Sequence, residues 1–209
     1  MLQRISLIAA FCFALASSAQ ADVITYMITV NTASQLGDAG SLDLQFNPGG
    51  LLSQAADLSI LNFSTDGSLG GPVLTGDASG ALPGTVLFDN GSSFNDYFTG
   101  FTYGTTLTFD VLLSGPALSS PDGVSTSGST FAFSMFSDAA GSVPVLTTDT
   151  TDGFAVTVNV NLDGSTTLTN SSAETAISVV PEPATLPLFS IALAALAGFA
   201  RFRRRDIPG

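Results

Sequence analysis

Phe154, Val156, Val158, Val160 and Leu162 alternate without a break with Ala155, Thr157, Asn159 and Asn161, and Asp163-Gly164 follows at once. A period of two puts one set of side chains on each face of an extended strand, and an Asp-Gly pair provides the positive-φ residue of a tight turn. A chain that repeats this pattern has to fold as paired strands. Val23 to Val30 is rich in β-branched residues, and Leu42, Leu44 and Phe46 alternate with Ser41, Asp43 and Gln45. Leu58 to Phe63 precedes Asp66-Gly67, Thr85 to Phe88 stops at Asn90-Gly91, and Thr106 to Leu113 stops at Gly115-Pro116. Phe131, Phe133, Met135 and Phe136 form a further apolar segment, and no stretch between these landmarks has a 3.6-residue apolar period. The pattern predicts an all-β fold over residues 22–169, a single antiparallel β-sandwich or jelly-roll-like ectodomain of about eight to ten strands. The Ser/Thr/Gly-rich stretches 64–84 and 114–130 read as loops, and residues 170–180, poor in apolar anchors, as a linker.

Both ends of the chain read as export segments. Residues 1–21 have the order of a signal peptide, with Arg4, an apolar run from Ile5 to Ala16 and the small-x-small site Ala19-Gln20-Ala21, which predicts cleavage between Ala21 and Asp22. The single cysteine, Cys12, leaves with that peptide. Near the other end, residues 184–200 carry no charge, and as a helix they span about 26 Å, near the lower limit for a transmembrane helix. Arg201, Arg203, Arg204 and Arg205 close the run, so by the positive-inside rule the preceding domain faces away from the cytoplasm.

Charge then narrows the function. The five basic residues are Arg4 and those four arginines, there is no histidine, and all but Glu182 and Asp206 of the 17 acidic residues fall within 22–180. A domain of roughly 160 residues is long enough for a sizeable core. Without cations it cannot displace counterions from phosphate, which excludes nucleic acid as a partner. Serine or cysteine nucleophiles need an adjacent base that the exported stretch does not possess, so no catalytic residues are assigned and the chain is not expected to be an enzyme. A hydrolase built on two carboxylates is the remaining catalytic scheme, although the chain has no tryptophan to serve as a sugar platform.

Pro181-Glu182-Pro183, the uncharged run 184–200 and the basic cluster 201–205 occur in this order close to the end of the chain. Together they resemble the PEP-CTERM sorting signal of Gram-negative bacteria. The resemblance implies that residues 181–205 are recognised by a membrane-embedded exosortase, after export by the general secretion machinery. It also implies an inner-membrane intermediate held by the C-terminal helix, then delivery to the cell surface, outer membrane or extracellular matrix. Exopolysaccharide is the further partner it implies. The segment Leu42 to Gly49, which includes Gln45-Phe46-Asn47-Pro48-Gly49, with Asn62-Phe63-Ser64-Thr65-Asp66-Gly67, Phe94 to Phe98 and Gly104 to Asp110, is similar to a recurrent ectodomain type of such proteins, and that similarity implies a domain but no activity.

Asn159, Asn161 and Asp163 have the oxygen spacing that opens a calcium loop, but the closing Glu is missing. They are weak metal candidates, and a strand with its hairpin turn explains the same residues. The Asn-x-Ser sequences at Asn62, Asn90 and Asn170 read as unmodified surface positions. Phe94, Tyr97, Phe98, Phe101 and Tyr103 read as a core loop rather than an exposed aromatic patch. The expectation is an exported, non-enzymatic structural or adhesive component of a surface or biofilm matrix without a cofactor. The alternative is a calcium-assisted carbohydrate-binding module.

Overall fold

The computed structural model describes residues 23–50 and 52–181. Its strands are β1 (Ile24–Asn31), β2 (Ala39–Pro48), β3 (Asp57–Thr65), β4 (Ser68–Thr75), β5 (Ala78–Gly80) and β6 (Val86–Asp89), then β7 (Asp96–Thr102), β8 (Thr106–Ser114), β9 (Ser129–Phe136), β10 (Phe154–Val160), β11 (Thr166–Asn170) and β12 (Thr175–Val180). A single helical turn, α1, occupies Pro116–Ser119. The strands form two six-stranded sheets, β12-β1-β8-β3-β6-β5 and β11-β10-β9-β2-β7-β4. Every neighbouring pair is antiparallel. The domain is therefore all-β, as the alternation predicts.

One apolar face of each sheet contributes to a shared core. On β8, Leu107, Phe109, Val111 and Leu113 are buried while the residues between them are not. On β2 the same holds for Leu42, Leu44 and Phe46. Phe109 of the first sheet meets Phe133 of the second edge to face at 5.1 Å and 73°, so the two inner faces touch directly. Burying each such ring contributes about 1.5–3 kcal/mol. Close approach also fixes small residues. A Cβ at Gly40 would collide with the carbonyl oxygen of Phe136, the group to which the buried Tyr103 hydroxyl donates at 3.0 Å.

Several expectations need correction. The sheets hold twelve strands, beyond the eight to ten expected. Residues 64–84 are not simply a loop, because β4 and β5 lie there. β4 is almost wholly exposed and joins its sheet through the backbone of β7, so it shows no apolar alternation. Residues 170–180 are not a linker either. β12 pairs with β1 from Thr25↔Val180 to Val30↔Thr175, and Ile177 packs against the core. The fold thus runs to Val180. In β10 the register against β9 shifts between Phe154 and Val156, and this bulge leaves Ala155 buried and Phe154 half-buried.

The signal peptide 1–21, the cleavage pair Ala21 and Asp22, Glu182, Pro183, the helix 184–200 and the arginine cluster lie outside the described residues. Among the described residues no helix is long and apolar enough to cross a membrane.

If β12 is part of the fold, a mature domain stopped after Glu174 should melt well below one stopped after Val180. Loss of an edge strand and of Ile177 burial should cost at least about 2 kcal/mol, roughly 4–8 °C for a domain of this size. Equal melting temperatures would restore the linker.

Candidate functional site

The domain meets its C-terminal signal at the free edge of the first sheet. β12 is the outermost strand and pairs with β1 alone. Asn31 N–H donates to the Glu174 carbonyl at 2.9 Å, which fixes the parity of the ladder, since opposed residues in an antiparallel pair bond alternately. Residues 176, 178 and 180 therefore direct their backbone groups at β1. Thr175 directs its groups away, its N–H donating to the Ser172 carbonyl at 3.4 Å and its carbonyl accepting from Asn170 Nδ2 at 2.8 Å. Ile177 and Val179 share the orientation of Thr175, and among the described residues nothing meets their N–H and C=O groups. Val179 is 63% exposed, and Pro181, also exposed, follows the end of the strand at once.

A second unusual feature stands on the outer face of the other sheet. Asp43 on β2 lies opposite Phe98 of β7, and Asp96 lies opposite Gln45, so the two aspartates are diagonal neighbours. Gln45 Nε2 donates to Asp43 Oδ2 at 2.7 Å, Asn47 Nδ2 to Gln45 Oε1 at 3.1 Å, and the Asn95 amide to Asn47 Oδ1 at 2.6 Å. Asp43 Oδ1 and Asp96 Oδ1 are buried, and if both groups were ionised neither oxygen would have a donor. One proton held between them satisfies both. Burial, and then the adjoining Asp43 carboxyl, push Asp96 up to about 8. Burial also raises Asp43, against the lowering influence of its bonds to Asp96 and Gln45. The facing residues on β9 and β4, Ala132, Ser134, Val73 and Thr75, are uncharged, so no cation relieves the pair. At neutral pH the two aspartates share one negative charge. Carboxyls in hydrogen-bond contact are closer than the roughly 5–5.5 Å or 6.5–9.5 Å separations with which glycosidases work.

Other acids are held by turns. Asp66 accepts from the Thr105 hydroxyl at 2.6 Å and from the Thr105 and Thr106 amides at 2.8 and 3.0 Å, tying the β3–β4 turn to the start of β8. These bonds, the Thr105 hydroxyl foremost, hold its carboxyl at about 2. Asp122 is lowered chiefly by the Ser125 amide, and Asp149 chiefly by the Thr151 amide. Asp163 is lowered chiefly by the Ser165 hydroxyl. Asp122, Asp149 and Asp163 thus find their donors within their own turns, and Asp66 finds them across the fold at Thr105 and Thr106.

That arrangement accounts for the metal candidates. Asn159 Oδ1 accepts from the Thr130 hydroxyl, Asn161 Nδ2 donates to Ser165 Oγ and Thr167 Oγ1, and Asp163 caps Ser165. The three residues form a strand end and its hairpin turn, and their side chains are engaged in it. Among the described residues no group of three His, Cys, Asp or Glu side chains could hold a metal ion. Of the aromatic set, Tyr97, Phe101 and Tyr103 are core residues and Phe94 is 47% exposed.

Two asparagines hold more of the scaffold than the sequence suggests. Asn90 is not a surface position: its side chain accepts from Ala56 N–H and donates to the Gln54 carbonyl and Ser129 Oγ. Asn95, fully buried, donates to the Phe46 and Ser92 carbonyls and accepts from the Asp77 amide. Only the turn character of their neighbourhoods, Asn90-Gly91 and Asn95-Asp96, hints at these roles. A depression lined by Gln54, Ser127, Asn161 and neighbours encloses only about 10 Å³, room for roughly one water molecule.

An all-β domain with no cation of its own, whose last strand runs directly into an apolar segment closed by arginines, has the form of an exported protein released or retained through its C-terminus. Residues 179–205 match the PEP-CTERM protein-sorting motif, so the chain carries that signal and is an exported, cell-surface-targeted protein sorted by exosortase. No curated protein and no solved structure matches the chain.

A folded pKa raised above the ordinary value of 3.8 adds stability that is complete below that value and is lost as pH rises towards about 8. Asp96→Asn supplies a permanent donor for Asp43 and should remove that loss. Because Asp96 is partly solvated, the gain at pH 8.5 is well below the full shift, about 1 kcal/mol or roughly 2–4 °C, with little difference near pH 4. Melting curves of both proteins at the two pH values check this, and a variant that is less stable at pH 8.5 would contradict the shared proton.

Proposed function

We propose that the chain is a non-enzymatic structural or adhesive component, retained at the surface or in the extracellular polysaccharide matrix of a Gram-negative cell after its C-terminal signal has been processed. The observation that carries this reading is the sorting motif at residues 179–205, which starts where the β-domain ends. The chemistry of the domain supports it. The exported stretch has no lysine, histidine or cysteine to activate a nucleophile, and among the described residues the contacting carboxylate pair Asp43–Asp96 is occupied with a shared proton. The order β1-β8-β3-β6 in one sheet and β2-β7-β4 in the other supports a jelly-roll sandwich, with β5 beside β6 and β9 to β12 added at the margins. Such a densely cored unit suits a durable extracellular part.

A calcium-assisted carbohydrate-binding module stands second. It is favoured by the polar ladder Asp43, Gln45 and Asn47 beside Phe98 on the outer sheet face, but among the described residues no third acidic ligand joins Asp43 and Asp96.

The intact mass of the mature protein from its own cells, compared with Glu182→Ala, tests the proposal. The wild-type chain should end near Pro181 and the variant should keep its C-terminal segment. A wild-type mass that still includes Arg201 to Gly209 would make the helix a permanent anchor and the matrix role untenable.

A further inference from the structure

The match to the sorting motif begins at Val179, inside β12, while Val179 and Val180 are still paired with Tyr26 and Thr25 of β1. Whatever engages the motif at Pro181 therefore works directly beside a folded strand. It has two choices: peel β12 from β1, or read it in place.

The two residues differ in what they offer. Val180 turns its backbone groups to β1, so they are unavailable unless the strand is peeled. Val179 and Ile177 turn theirs outward, and the side chain of Val179 is 63% exposed. Among the described residues the edge is also unguarded. β12 reads Thr-Ala-Ile-Ser-Val-Val, with no charge, proline or bulge, the devices by which proteins blunt exposed edges. Of the other edges, β11 is similarly plain but does not lead into the motif, and the remaining two are blunted. β4 is interrupted by Gly70-Gly71-Pro72 and a register shift, and β5 has three residues. At the start of β12 the open groups of Thr175 are already covered by Asn170 and Ser172, so the usable edge runs from Ile177 to Val179 and leads straight into Pro181.

We propose that the sorting enzyme reads this substrate in place, laying an extended segment of its own against the free edge of β12 so that Ile177 and Val179 hydrogen-bond to it as the motif enters its site. Strand addition draws affinity from main-chain bonds and leaves the alternate side chains to confer selectivity. The folded domain becomes part of the recognition element, and it sets the register in which Pro181 is presented. This inference rests on the processing proposed above.

Three variants, expressed as full-length chains in the native cells and assayed by intact mass for C-terminal processing, test it. Val179→Pro removes an outward N–H and nothing from the β1 ladder, and proline is tolerated at such edge positions. Processing should slow about tenfold, the effect of one lost backbone bond, with the melting temperature of the domain unchanged. Val179→Ala keeps the N–H and should be processed like wild type. Met27→Cys with Ser178→Cys joins two exposed outer-face positions at an opposed pair, whose Cα separation near 5.5 Å suits a disulfide, and so locks β12 onto β1. The locked protein should be processed normally. Processing blocked by the disulfide and restored by reductant would mean that β12 must be peeled, which overturns the proposal. Normal processing of Val179→Pro, or equal loss in Val179→Ala, would overturn it too. A wild-type chain that is never processed would remove the reader altogether, and with it the functional reading; unaffected variants of a processed wild type would remove only the strand addition.

Discussion

Between residues 22 and 180 no side chain carries a positive charge, so every carboxylate in the domain must be matched by an amide, a hydroxyl, water or another carboxyl. Where an aspartate sits in a turn, the backbone supplies the match: Asp66, Asp122, Asp149 and Asp163 each accept from N–H groups close by and remain charged below their ordinary range. Where two aspartates come together on a sheet face, neither amides nor cations suffice, and Asp43 and Asp96 share a proton instead. Those two solutions respond oppositely to pH. The turn acids add stability that is lost only as pH falls through their lowered values, whereas the pair loses stability as pH rises towards about 8.

The same lack of cations shapes what the domain can do. It cannot form surface ion-pair networks or bind phosphates with its own side chains, and its cohesion comes from a two-sheet apolar core crossed by contacts such as Phe109–Phe133. Its most accommodating feature is a backbone one, the open edge of β12. Because that strand continues without a spacer into the sorting motif, folding and sorting share residues Val179 and Val180.

How much of this was legible in the sequence depends on whether the signal is local. Pro181-Glu182-Pro183 with its apolar run and arginines is a contiguous pattern, and it was readable without a structure. Strands that bury one face, such as Leu107 to Leu113, declared themselves by alternation. β4 did not, because an edge strand held by its backbone and exposed on nearly all its side chains needs no apolar period. β12 was hidden behind Asn170-Ser171-Ser172-Ala173-Glu174, whose polar character drew the following strand into an apparent linker. In the Asp43–Asp96 pair, alternation puts each aspartate on an outer face, but only the register of β2 against β7 brings them together. Asn90 and Asn95 are likewise invisible locally, since their partners Ser129 and Phe46 lie far away in the chain.

The most direct test is a carboxyl-carbon NMR titration of the mature domain, residues 22–180, from pH 2 to 9. The Asp43–Asp96 pair should keep one proton until about pH 8, while Asp66 should stay ionised down to about 2. If every carboxyl instead titrated together near the ordinary aspartate value, neither the shared proton nor the turn-bound carboxylates would be holding this domain's charge in the way described.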